Sequence, residues 1–177
     1  RALTLMGRIY TLMGDNARNL ELKQEAIAIC NVQTDHYNTA RILANLASDK
    51  IGAGSYVEAE TLLSTVIELF RVFKSQHSLV ANQCFLGLIH FARGDFDKMR
   101  RILEETQGIA QEVGIADSFA FLLCLRGYLA CIQDDYDAGM DYLHRAQKRS
   151  NEVWDLWVVT DVDWGLSICA CGTDDIP

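Results

Sequence analysis

Hydrophobic residues recur along the chain at three- and four-residue steps. The run Leu62, Leu63, Val66, Ile67 and Phe70, with Ser64, Thr65 and Glu68 between its members, places its apolar side chains on one stripe of a helix. The same spacing predicts first helices near 1–13, 36–52, 77–92, 117–132 and 156–171. It predicts second helices near 16–31, 56–74, 96–112 and 136–152. Between the two helices of a pair stands a small residue followed by a capping side chain: Gly14-Asp15, Gly54-Ser55 and Gly94-Asp95, with Asp134-Asp135 in the fourth copy. Glycine there tolerates the positive φ that ends a helix, and Asp or Ser supplies an oxygen to the free N–H groups that open the next. Ser55 with Glu58 also forms a capping-box pattern.

The pattern repeats every 40 residues. Gly7, Ala47, Gly87, Gly127 and Ser167 form a column of small residues, and Tyr56, Phe96 and Tyr136 form an aromatic column that the first copy breaks with Asn16. Further columns are Leu22, Leu62, Ile102 and Tyr142, then Lys23, Leu63, Leu103 and Leu143, then Ala26, Val66, Thr106 and Ala146. A small residue inside an apolar stretch lets a neighbouring helix come close, which offsets the roughly 1 kcal/mol helix-propensity cost of glycine. A single helix pair cannot bury its apolar face, so stacked pairs share a core. The expected fold is all-α, a solenoid of four helix-turn-helix repeats at about 1–35, 36–75, 76–115 and 116–155, with an extra helix at 156–171, all in one domain over 1–177.

At these residues the chain resembles the tetratricopeptide repeat family in a format of about 40 residues. The resemblance rests on the small column, the turn, the following aromatic, and Ala26 and Ala146. It departs from the family pattern where the consensus tyrosine, present as Tyr10, becomes Lys50, His90 and Ala130. It departs again where the closing proline is replaced by Asn31, Arg71, Gln111 and Asn151. Repeats of this length are similar to those of large bacterial regulators of the MalT-like and LuxR-type class and to those of eukaryotic adaptor proteins. The resemblance implies a right-handed α-α superhelix, a non-catalytic role, and protein or peptide partners held by the first helices on a concave face.

Carried onto that face, the register nominates Arg8, Arg41 and Ser48 early in the chain and Leu88, Phe91, Phe121, Tyr128 and Trp164 later. The groove would then run from polar and basic to apolar and aromatic, suiting an extended segment with an acidic end and an apolar end. Two alternatives stand beside this. The later aromatics could enclose a small apolar effector, or they could fill the narrow inside of the superhelix as core.

Composition narrows the function classes. Half of the 177 residues are hydrophobic, the only proline is Pro177, and the formal charge is -8. An acidic chain repels phosphate, so direct nucleic-acid binding is not expected, and no apolar run is long enough to span a bilayer. Arg1-Ala2-Leu3 reads as a cut end, from which a segment of a larger protein is expected. Trp154, Trp157 and Trp164 on the extra helix would leave apolar surface for self-association.

Catalytic and metal patterns are weak. Gly52-Ala53-Gly54 lacks the third glycine of a dinucleotide loop, since Val57 stands there. Asp95-Phe96-Asp97 and Asp135-Tyr136-Asp137 fall at helix starts, where acidic residues suit the helix dipole, and a calcium loop from Asp135 would need a glutamate where Ala146 stands. Cys84 and His90 are six apart, on largely different helix faces. The six cysteines show no Cys-x-x-Cys pair and read as small buried residues of a reducing, cytoplasmic compartment. No cofactor, metal or catalytic residue is expected.

Overall fold

The computed structural model describes residues 2–114, 119–153 and 165–167. It holds eight named helices in chain order: α1 Ala2–Leu12, α2 Asn16–Val32, α3 His36–Gly52, α4 Tyr56–Val72, α5 Gln76–Ala92, α6 Phe96–Glu112, α7 Ala120–Ile132 and α8 Tyr136–Val153. Residues 165–167 are helical as well, and no strand occurs among the described residues. The extra helix expected at 156–171 otherwise lies outside them. Helices pair as antiparallel hairpins, α1 with α2, α3 with α4, α5 with α6 and α7 with α8. The contacts divide the chain into two compact units, Arg1–Ser75 and Gln76–Pro177.

Helix ends explain the regular spacing. Gly14, Gly54, Gly94 and Asp134 all take positive φ, between 61° and 81°. The next residue in each case donates its N–H five residues back, as in Asp15 N to Tyr10 O at 2.8 Å, Ser55 N to Lys50 O at 2.8 Å, Asp95 N to His90 O at 2.9 Å and Asp135 N to Ala130 O at 3.0 Å. This is the Schellman arrangement, which satisfies carbonyls left over at a helix C-terminus. Thr34 and Lys74 make the same left-handed turn between hairpins, each at φ 53°. Asp15, Asp35 and Asp135 cap the following helices, accepting from the N–H groups of Arg18, Asn38 and Ala138. The capping box expected at Ser55 does not form. Ser55 makes no side-chain cap bond, and Glu58 instead ion-pairs with Lys50 Nζ at 2.6 Å, across the turn on α3.

Every second helix turns the same register positions inward. Ala59, Leu63, Val66 and Phe70 of α4 are buried, as are Met99, Leu103, Thr106 and Ala110 of α6 and Gly139, Leu143, Ala146 and Ser150 of α8. These side chains meet the small column. A Cβ added to Gly127 would lie 2.6 Å from Leu143 Cγ, and one on Gly87 would lie 3.3 Å from Leu103 Cδ2. In the first unit, Tyr37 packs edge-on against Phe70 and Phe73, with ring centroids 5.8 and 5.6 Å away, and closes the α3–α4 hairpin. Helix α1 exposes Leu5, Ile9 and Leu12, and Met13 just after it is exposed as well.

Candidate functional site

In the first unit, the start of α1, the end of α2 and the start of α3 line a half-open cavity of about 570 Å³. Leu3, Leu5, Ala26, Ile29 and Ile42 form its apolar lining, and Thr4, Gln33, Asn38 and Asn45 bring hydroxyl and amide groups. Arg41 is the basic lining residue and Asp35 the acidic one. The two differ in what they face. Asp35 accepts from Asn38 N at 3.1 Å and Asn38 Nδ2 at 2.6 Å. These two bonds, side chain first, hold its carboxyl below the usual carboxylate range. Arg41 is exposed, and it donates to Asn38 Oδ1 at 3.4 Å. Its volume falls within the range of ligand sites, while its half-open mouth and mixed polar and apolar lining suit a surface segment more than an enclosed small molecule.

Of the early groove residues, Arg41 thus lines the cavity. Ser48 lies on the same helix, half-buried, but is not a lining residue. Arg8 falls within α1, and its side chain is not among those described.

The later residues come together in the second unit. Phe91 stacks on Tyr128 with centroids 5.1 Å apart, and Phe121 meets Phe85 edge-on at 5.3 Å. Leu88, Phe91 and Phe121 are half-buried against the core. Tyr128 is only 5% exposed and belongs to the core itself. A ring that the chain covers to this extent fills space between helices and offers little face to a ligand, in keeping with the alternative that the later aromatics serve as core. Trp164 lies outside the described residues.

Groove reading from first helices alone missed Ala26, Ile29, Cys30 and Gln33, which close the cavity from α2. No pattern in the sequence marks them: that Ile29 is 44% exposed at the end of α2, next to the first-helix residues, appears only once the helices are packed.

Cys84 and Cys124 are buried in the core of the second unit. Burial pushes the Cys84 thiol far above its ordinary range, and neighbouring Cys124 adds to the effect, so Cys84 stays protonated at neutral pH and is a poor nucleophile. Cys30, Cys84 and Cys124 carry no disulfide. Cys131 is disulfide-bonded, which departs from the expectation of thiols throughout. Among the described residues no cluster of three or more His, Cys, Asp or Glu could hold a metal ion, and no helix is long and apolar enough to cross a membrane.

Comparison with known families agrees with the helix hairpins. A tetratricopeptide repeat model matches residues 1–71, nearly the whole first unit. Over these residues the chain is similar to tetratricopeptide repeats. In the second unit, hairpins α5–α6 and α7–α8 keep the 40-residue columns of those repeats. Tetratricopeptide repeats generally mediate protein–protein interaction and are typically non-catalytic. No curated protein matches the chain.

Proposed function

We propose that the chain is a non-catalytic interaction module whose first-unit cavity takes a peptide segment carrying a carboxylate beside an aliphatic side chain. The observation that carries this reading is Arg41: an exposed guanidinium at the edge of an apolar cavity, with the amides of Asn38 and Asn45 on the same helix turns. Arginine presents several donors in a planar fork that fits a carboxylate. Leu3, Ala26, Ile29 and Ile42 offer the neighbouring aliphatic group an apolar wall. Asp35 opposes an acidic ligand less than its charge suggests, because its oxygens are turned to the N-terminus of α3.

The test is fluorescence anisotropy with a labelled ten-residue peptide holding two leucines next to two glutamates. Charge-assisted hydrogen bonds contribute about 1.5–3 kcal/mol, so Arg41→Glu is expected to weaken binding by roughly ten- to a hundredfold. Phe121→Ala in the other unit is expected to leave it unchanged. Equal affinity in wild type and Arg41→Glu refutes the assignment.

The 40-residue format favours a parent signalling or transcriptional regulator in which this segment reads a partner or effector. A reducing, cytoplasmic setting is favoured by the cysteines that carry no disulfide and opposed by Cys131. Counting thiols by mass spectrometry, on protein alkylated at lysis, decides between them.

A further inference from the structure

The interface between α2 and α3 departs from the rest of the repeat array. Asn19 stands in the column that holds Ala59, Met99 and Gly139, and Lys23 stands in the column of Leu63, Leu103 and Leu143. Asp49 stands in the column of Ile9, Ile89 and Leu129. Three polar residues in otherwise apolar columns meet at one place. Lys23 Nζ ion-pairs with Asp49 Oδ2 and donates to Asn45 O at 3.4 Å. Asn19 Nδ2 donates to the same Asp49 oxygen at 2.7 Å. Lys23 is 1% exposed and Asn19 3%, with Asn19 Oδ1 left without a hydrogen-bond partner. Gly7 makes the arrangement possible, because a Cβ there would come within 2.6 Å of Asn19 Oδ1.

Such a cluster is a poor way to add stability. Withdrawing two charges from water roughly cancels their attraction, and an apolar pair of similar volume is often as stable or more so. Its effect is large only when a partner is missing, since a buried ammonium without its carboxylate is strongly destabilising. That asymmetry discriminates among neighbours. Were α2 to stack on α5 or α7, Lys23 would meet Ile89 or Leu129 at the matching register instead of an aspartate. We propose that Asn19, Lys23 and Asp49 form an address that admits α3 as the neighbour of α2 and excludes the other first helices of the array. Repeats built on one 40-residue template are interchangeable in their apolar contacts, so selection must come from a contact that the wrong helix leaves unpaired.

The experiment compares the full chain with Asp49→Ile, Asp49→Asn, Lys23→Leu and the double variant Lys23→Leu/Asp49→Ile. Melting temperature, sedimentation velocity and hydrogen exchange over α2 and α3 are read for each. Asp49→Ile is expected to lower the melting temperature by about 5–10 °C, somewhat under the full effect of an unpaired buried charge because Asp49 is 32% exposed. Asp49→Asn, which keeps the shape and one acceptor, should fall between. The double variant should regain the wild-type melting temperature yet show concentration-dependent oligomers and two exchange populations in α2 and α3, as alternative stackings fill. A double variant that stays monomeric with a single wild-type exchange pattern overturns the proposal. So does Asp49→Ile without effect, or a double variant that fails to fold, since Leu and Ile hold these columns elsewhere in the chain.

Discussion

Replacing Tyr128 by alanine separates core from site among the later aromatics. The ring is 5% exposed and stacks on Phe91 at 5.1 Å with planes 28° apart. The backbone closes over it from another side, since a Cβ on Gly165 would lie 2.5 Å from Tyr128 Cε1. Truncating a buried aromatic costs about 3–5 kcal/mol, of which the stacked pair accounts for roughly 0.5–1.5 kcal/mol. For a unit of about 100 residues each kcal/mol moves the melting temperature by about 4 °C or more, so a fall of at least about 12 °C is expected in the transition of the second unit. Phe121→Ala removes a half-buried ring held edge-on by Phe85 and should cost about half as much. Differential scanning calorimetry, with each unit's transition fitted separately, reads both. A Tyr128→Ala melting temperature within about 2 °C of wild type would refute the core assignment and return Tyr128 to the groove.

Other perturbations follow from the same contacts. Gly127→Ala drives a Cβ to 2.6 Å from Leu143 Cγ and should destabilise by about 1–3 kcal/mol, whereas Gly52→Ala, with nothing within 4 Å, should stabilise by up to about 1 kcal/mol in urea melts. Asp15→Ala removes a formed cap and should cost about 1 kcal/mol, while Ser55→Ala, which removes none, should be near neutral in the same assay. Asp35 has a folded-state pKa below the ordinary aspartate value of 3.8, because Asn38 donates to its carboxylate from its side chain and its backbone. Its stabilising bonds are therefore complete above that value and lost as pH falls through the lower folded one. Asp35→Ala should lower the melting temperature at pH 7, with the difference from wild type shrinking as acid protonates the folded-state carboxyl.

Much of the fold was legible because punctuation and period agree. The Gly-Asp and Gly-Ser steps mark positions where positive φ is required, and second helices begin within one residue of where those steps place them. Helix α7 was less legible, starting at Ala120 rather than near 117, with Phe119 as an N-cap that has no side-chain oxygen to announce it. The Ser55–Glu58 pattern misled because Lys50 across the turn offers Glu58 a full opposite charge. Lys23 was visible as a lysine in a leucine column, but its partner was not, since pairing Asp49 with it depends on how α2 packs on α3. The cavity was half-visible for the same reason. Arg41 follows from the first-helix register, while the α2 residues that complete the wall follow only from three-dimensional packing.

The most direct test of the interaction-module account is a backbone amide NMR titration of the full chain with the leucine-glutamate peptide. The account predicts shifts confined to the start of α1, residues 26–33 of α2 and residues 35–45 of α3, and their loss in Arg41→Glu. Shifts concentrated on residues 85–128, or none at peptide concentrations up to about 1 mM, the affinity equivalent of roughly -4 kcal/mol, would contradict it.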